Sequence, residues 1–244
     1  MKQSVFEIKE NVALTDSVYK MTLSGDTSEI TAPGQFVNIK LDRLYLRRPI
    51  SVCNSEGDTL TLIYKVVGKG TEQMKNMTEG SLDILTGLGN GYDTALSGDK
   101  PLLIGGGVGV PPLYMLARKL IAEGKQVTVI LGFNTKSEIF CEKDFEALGA
   151  KVLVTTVDGS YGIKGFVTNA MEGLDYTHFY TCGPEPMLKA VHRASVTDGQ
   201  LSFEERMGCG FGACMGCSCK TLTGYKRICK DGPVMMKGEI TWEK

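Results

Sequence analysis

The sequence predicts a multi-domain protein. It should hold an antiparallel β-barrel, a doubly wound α/β nucleotide domain and a small cysteine-rich unit near the C-terminus. Three observations carry this. The first third reads as short alternating stretches between turn residues, with no helical period. From Lys100 onward, apolar strand-like runs alternate with helical patterns. Five of the eight cysteines then crowd between Cys209 and Cys229, among glycines. The expected boundaries are 1–97, 98–200 and 201–244.

Composition narrows the function classes. Hydrophobic residues make up 42% and charged residues 23%, ordinary values for a globular protein. A net charge of −1 supplies no basic stripe for nucleic acid. Met1 to Leu14 mixes charges with single apolar residues, unlike a secretory signal, and no apolar run approaches a membrane span. The expectation is a cytoplasmic protein with no membrane partner, in a compartment where thiols stay reduced.

In the barrel region, Val18 to Leu23 and Gln35 to Leu41 alternate, the second after a Pro33-Gly34 turn, and Thr59 to Val67 is a long β-branched run. Strands at this spacing without helices suggest a small barrel. Two motifs in it look chemical. Arg48-Pro49-Ile50-Ser51 sets a guanidinium before a proline with a hydroxyl three residues on, suited to a phosphate and a polar ring. A surface arginine beside an edge-strand proline is the plainer reading of that motif alone. Gly68-Lys69-Gly70-Thr71 opens an expected helix from Thr71 to Met77, a turn that exposes N–H groups to an anion or is simply a Thr N-cap. Gly87 to Tyr92 reads as an interdomain turn, with a loop packed near a cofactor as the alternative.

The α/β region begins with a buried strand, Pro101 to Ile104, and the loop Gly105-Gly106-Gly107-Val108-Gly109. Helices are expected over Pro111 to Glu123, Glu138 to Leu148, Lys164 to Met171 and Pro184 to Ala194. Strands are expected over Gln126 to Leu131, Lys151 to Thr156 and Thr177 to Thr181. In such a sheet the ligand lies at the carboxyl ends of the strands. The loop departs from the usual dinucleotide fingerprint. Val110 stands where a third glycine belongs, and the second strand ends in Gly132-Phe133-Asn134 without an acid for the ribose. Cys182-Gly183-Pro184, ending a later strand, is expected to face the same cleft as Gly105, Gly107 and Gly109. His178 and His192 have no ligand spacing and read as structural, and Cys53 and Cys141 as inert.

The cysteine segment is the most specific signal. Cys209, Cys214 and Cys217 follow C-x4-C-x2-C, and Cys229 is a later fourth thiol. That is close to the plant-type spacing for a 2Fe–2S cluster. Gly208, Gly210, Gly212 and Gly216 give the loop freedom to wrap two irons. A structural zinc site competes, although it more often shows paired C-x2-C knuckles. Disulfides and simple buried thiols fit less well. Spacing alone also leaves Cys219 open as a ligand in place of Cys217.

Together these motifs resemble the ferredoxin–NADP reductase superfamily. With Glu204-Glu205-Arg206-Met207-Gly208-Cys209-Gly210 and Cys229-Lys230-Asp231-Gly232-Pro233-Val234, essentially the whole chain resembles the electron-transfer subunits of type B dihydroorotate dehydrogenase. That resemblance implies FAD on the barrel, NAD(H) on the α/β domain and a 2Fe–2S cluster near the C-terminus. It implies that Arg48, Pro49, Ile50, Ser51, Ile63, Tyr64, Lys65, Gly70 and Thr71 bind FAD. It implies that Cys209, Cys214, Cys217 and Cys229 bind the cluster, with Cys182 near the nicotinamide. Ile50 stands where the superfamily often has a tyrosine on the flavin. The implied partner is an FMN-containing catalytic subunit that oxidises dihydroorotate, in a heterotetramer of two copies of each chain. The chain is too short to hold that second barrel, which takes about 250 residues. The alternative is a subunit of a related NAD(P)H–ferredoxin or sulfide-linked oxidoreductase.

Overall fold

A computed structural model describes residues 1–242. In chain order the barrel strands are β1 (Lys2–Ala13), β2 (Val18–Ser24), β3 (Phe36–Ile39), β4 (Arg48–Glu56), β5 (Thr59–Lys65) and β6 (Ser81–Leu88). They close in the order β1-β2-β5-β4-β3-β6, every pair antiparallel. Alternation drives closure, because successive side chains point to opposite faces. On β5, Leu60, Leu62 and Tyr64 are buried, and on β3 Val37 and Ile39 enter the same core.

Helix α1 (Lys69–Lys75) covers one end of the barrel and buries Met74 completely. It starts two residues before the expected Thr71, because Gly68 and not Thr71 is the N-cap. The Thr71 hydroxyl accepts from the N–H groups of Val67 and Gly68 at 2.9 and 3.2 Å. At the other end, the Asn11 side chain donates to the carbonyls of Met74, Lys75 and Met77, groups a helix terminus leaves unpaired.

The second half supplies β7 (Pro101–Gly106), α2 (Pro112–Ala122), β8 (Thr128–Phe133), α3 (Glu142–Ala147), β9 (Lys151–Thr156), β10 (Ile163–Lys164), α4 (Val167–Met171), β11 (His178–Cys182), α5 (Glu185–Ala194) and β12 (Gly199–Ser202). The hairpin β13 (Ser218–Thr221) and β14 (Gly224–Arg227) and a last strand β15 (Val234–Met236) follow. The sheet runs β10-β9-β8-β7-β11-β12-β15 and is parallel except for β15. It therefore draws its last strands from both sides of residue 200.

Two expected helices are shorter than their sequence patterns. The segment from Glu138 splits into a 3-10 turn, Lys136–Glu138, and α3, because Cys141 adopts a left-handed φ of +63° between them while Phe140 and Cys141 turn into the core. The segment from Lys164 first pairs as β10 with β9, and Gly165 at φ +120° separates it from α4.

Barrel and sheet share one core. Val18, Cys53 and Ile63 of the barrel pack with Leu113, Leu116 and Leu120 of α2. Arg118 of α2 donates to the Glu56 carboxylate and the Ser55 carbonyl. The Gly87–Tyr92 turn is a joint: Tyr92 is buried, and its hydroxyl donates to the Thr181 carbonyl at 3.1 Å.

Candidate functional site: two clefts and a cysteine loop along one seam

The barrel–sheet seam holds two clefts. The smaller, about 380 Å³, is lined by Arg48, Pro49, Ile50, Ser51, Ile63, Tyr64, Lys65 and Thr71 from the barrel, and by Ser202 to Glu205, Met207 and Pro233 from beyond the sheet. The larger, about 650 Å³, lies at the carboxyl ends of β7, β8 and β11, with Gly106 to Gly109, Gly132 to Asn134, Gly183 and Pro184 in its wall. Lys65, Val108 and Glu204 line both. A group held in one cleft can therefore touch a group held in the other.

The arginine pair divides its work. Arg47 donates to the Asp83 carboxylate at 2.9 Å and to the Asp83 and Asn38 carbonyls, so it is structural. Arg48 bonds the Leu46 carbonyl, and no acid pairs with it among the described residues. A half-buried guanidinium without a carboxylate suits a phosphate. Gly70 lies beneath it, where a Cβ would come within 2.3 Å of Arg48 Nε. The Thr71 hydroxyl is spent on its own turn, so Thr71 gives the cleft shape more than a free donor.

In the larger cleft the glycines are required by close approach. A Cβ on Gly109 would stand 2.3 Å from the Cys182 carbonyl oxygen, while Gly107, at φ +53°, faces open space. The loop thus passes flat against β11 and presents bare backbone to a ligand. Gly105 lies just behind, where a Cβ would press on Val110. Cys182 does not line the cleft. It is 1% exposed, and burial pushes its thiol up to about 12, so Gly183 and Pro184 form that wall. The thiol is instead packed in the core shared by barrel and sheet, with Ser202 and Glu204 as neighbours.

An acid that the sequence pattern does not mark also enters this cleft: the tip of β8 carries none, yet the 3-10 turn brings Glu138 back into it. Glu138 Oε2 accepts from the Asn134 backbone N–H at 3.1 Å and its side-chain amide at 2.9 Å. The signal lay five residues beyond the end of the strand and depended on the break at Cys141. Glu204 lines both clefts and keeps an exposed surface, and the protein packed around it raises its carboxyl pKa by desolvation.

The four thiols fall into two pairs. Cys209 Sγ accepts from the N–H groups of Ala213 and Cys214 at 3.2 and 3.4 Å, and the Cys209 N–H points at Cys214 Sγ at 3.5 Å. Burial pushes Cys209 up, but donors from Phe211, Cys214 and Ala213 outweigh it and hold the thiol at about 6. In the second pair the Cys229 N–H points at Cys217 Sγ at 3.4 Å. Burial and the neighbouring Cys217 push Cys229 up to about 12, so Cys229 keeps its proton until a cation displaces it. Cys217 and Cys229 are buried in the same apolar cluster as Phe36, while Cys214 is exposed near Phe211 and Met215.

Among the described residues no three His, Cys, Asp or Glu side chains converge on a single ion. Two pairs suit a different group, with two thiolates on each of two irons and backbone N–H groups aimed at sulfur. A Cβ on Gly208 would meet Cys214 Sγ at 3.2 Å, so the loop is already tight around that thiol. Arg227 braces it from behind, donating to the Gly212 carbonyl at 2.8 Å and pairing with Asp231. Cys219 lies on β13, half-buried against the apolar cluster and opposite Lys226.

His178 is buried, with its ring nitrogen 3.3 Å from the Gln200 amide, and His192 packs on Trp242. Cys53 and Cys141 are buried thiols whose pKa is raised chiefly by burial. None of the four reaches a cleft.

Comparisons with known proteins agree with this anatomy. Residues 204–241 match the family model for the iron–sulfur cluster binding domain of dihydroorotate dehydrogenase B. Residues 103–193 match the oxidoreductase NAD-binding domain. The dihydroorotate dehydrogenase B (NAD+) electron transfer subunit of Fusobacterium nucleatum is 43% identical, with 100% of both chains covered. That of a Geobacillus strain is also 43% identical, covering 98% of this chain and 99% of the relative. Among solved structures, a chain of an NADH-dependent reduced ferredoxin–NADP oxidoreductase superposes with a TM-score of 0.87 at 31% identity, covering 97% of this chain and 90% of that one. A ferredoxin–NADP+ reductase from Neisseria gonorrhoeae with bound FAD and NADP shares the fold, with a TM-score of 0.68 at 18% identity, covering 80% and 90%. With full-length relatives at this identity, the chain belongs to the family of dihydroorotate dehydrogenase B (NAD+) electron transfer subunits.

Proposed function

We propose that this chain passes electrons between a catalytic partner subunit and NAD+, through a 2Fe–2S cluster and FAD, in the oxidation of dihydroorotate. One observation carries the reading: the cleft at the nucleotide loop, the cleft on the barrel and the buried cysteine pair form an unbroken series. The two clefts meet at Lys65, Val108 and Glu204. Phe36 and Met207 line the barrel cleft and also pack into the apolar cluster that holds Cys217 and Cys229.

Cys209, Cys214, Cys217 and Cys229 would hold the cluster, and Arg48 to Ser51, Ile63 to Lys65, Gly70 and Thr71 the FAD. Gly105, Gly107, Gly109, Cys182, Gly183 and Pro184 would shape the NAD site, with Cys182 acting through its backbone. On this reading 1–97 carries the flavin, 98–200 the NAD and 201–244 the cluster. When bound, the flavin exchanges two electrons with nicotinamide and one at a time with the cluster.

The residues supply placement and charge. Arg48 neutralises a phosphate of the dinucleotide. The Gly106–Gly109 backbone lets the nicotinamide end lie close to the barrel cleft. Phe36 and Met207 keep the path between flavin and thiols dry. Glu204 lines both clefts, at the junction where flavin and nicotinamide would meet. Oxidation of dihydroorotate to orotate on the partner releases two protons with two electrons, NAD+ takes up two electrons with one proton, and the remaining proton passes to solvent.

The partner would carry FMN and assemble as two copies of each chain. The name shared by the relatives, electron transfer subunit, supports a separate catalytic chain. Exposed Phe211 and Met215 beside Cys214 support docking at the outer thiol pair. Among the described residues no helix is long and apolar enough to cross a membrane, and we place the complex in the cytoplasm. The ferredoxin- or sulfide-linked alternative is not favoured, since the full-length relatives at 43% identity are dihydroorotate dehydrogenase subunits.

The test is anaerobic co-expression with the catalytic subunit. The complex should contain iron, sulfide, FAD and FMN and reduce NAD+ with dihydroorotate. A colourless chain, or one that leaves NAD+ untouched while the partner turns over with a dye, would overturn the proposal.

A further inference from the structure

Strand β3 has two faces with different duties. Val37 and Ile39 point into the barrel core. Phe36 and Asn38, offset by one, point out toward the cysteine loop. Phe36 belongs to the apolar cluster that includes Cys217 and Cys229 and also lines the barrel cleft. Asn38 meets the other pair: its Nδ2 donates to the Cys209 carbonyl at 3.2 Å.

Asn38 is 1% exposed, and its Oδ1 has no partner. A buried amide with one end unpaired is costly, and a strand position of this kind would accept valine or leucine more cheaply. Its backbone carbonyl, on the side of the strand that pairs with β6, also accepts from Arg47 at 3.3 Å. Gly210 closes over the amide so tightly that a Cβ there would lie 2.3 Å from Asn38 Nδ2, and its φ is +78°. Barrel and loop are thus fitted to each other at one polar contact.

We propose that Asn38 is a positioning residue for electron transfer. It ties the peptide of Cys209 to the strand that lines the flavin cleft, and so fixes the attitude and potential of the cluster relative to the flavin. This rests on the reading that the four thiols hold a 2Fe–2S cluster and the barrel cleft holds FAD. The amide also turns the positive end of its dipole toward the Cys209 peptide, which favours the reduced, more negative cluster.

The experiment compares the parent complex with Asn38→Leu and Asn38→Val. Leucine matches the shape, and valine suits a strand should leucine disturb folding. Both should retain iron and FAD. Both should show an altered cluster EPR spectrum, a lower cluster midpoint potential and flavin-to-cluster transfer roughly fivefold slower in stopped flow after NADH is added. A parental spectrum, potential and transfer rate in whichever variant folds would overturn the proposal, even if its melting temperature fell, because a tether with only a structural role moves stability alone. A parent complex without iron or FAD would instead defeat the cofactor reading on which it rests.

Discussion

Asn90 and Val234, 144 positions apart, exchange two hydrogen bonds: Asn90 Nδ2 donates to the Val234 carbonyl at 2.8 Å, and the Val234 N–H donates to Asn90 Oδ1 at 3.1 Å. The Asn90 backbone N–H adds a third, to the Gly232 carbonyl at 2.8 Å. A side-chain amide that acts as a strand neighbour joins the exit of the barrel to the chain just past the fourth thiol. Asn90→Ala removes two bonds at a half-buried joint and should cost about 1–2 kcal/mol. Chemical denaturation of the iron-free chain measures it, and an unchanged midpoint would contradict the joint.

Arg48→Ala should weaken FAD binding by about 10–100-fold, the worth of a charge-assisted phosphate contact. Gly70→Ala should act in the same direction without touching the charge, because its methyl group would displace Arg48. Flavin release measured by fluorescence compares the two, and tight flavin retention in both would count against the barrel cleft.

Glu138 sets the nucleotide preference if it meets the ribose. A 2′-phosphate against this carboxylate is a like-charge contact worth several kcal/mol. Glu138→Gln should therefore lower the KM for NADPH by about tenfold or more and leave kcat with NADH nearly unchanged. Equal selectivity in parent and variant would show that the acid does not face the ribose.

Burial holds His178 neutral and lowers its pKa below the ordinary value. As pH falls, the unfolded chain takes the proton first, so the stability that depends on neutral His178 is complete above about pH 6.5 and is lost as pH drops through the lower folded value. His178→Gln should flatten part of this acid limb. Denaturation midpoints between about pH 7.5 and about pH 5 test it, and identical slopes would refute it.

Cys217→Ser should lose iron, whereas Cys219→Ser should keep it. Cys217 pairs with Cys229, while Cys219 packs on the apolar side of its hairpin. The reverse pattern of iron content would exchange the two assignments.

What could be read from the sequence was what is encoded locally. Val37 and Ile39 announce their strand by alternation, and Cys209, Cys214 and Cys217 announce their loop by spacing, because the atoms that must meet are only a few residues apart. Asn38, Asn90 and Glu138 could not be read in this way. The partners of the first two lie 171 and 144 positions away, and the third reaches its place only because Cys141 breaks a helix that the pattern favours. Strand β12, Gly-Gln-Leu-Ser, is too short and polar to signal a core strand, yet it is buried throughout because β11 and β15 flank it. The Cys182 thiol was expected in the cleft; which way a strand residue faces is decided by its neighbours in the sheet.

Ser202 and Val234 are paired directly across β12 and β15. Everything from 203 to 233 therefore leaves the sheet and returns to it at the same rung, as a graft on a single stem. A short hairpin turn could bridge that rung and give a version without the cysteine loop whose sheet is otherwise whole. Conversely, the excised piece supplied alone would lack the barrel wall on which Phe36 and Asn38 receive it, so transplanting the electron relay to another scaffold would mean carrying β3 along with it.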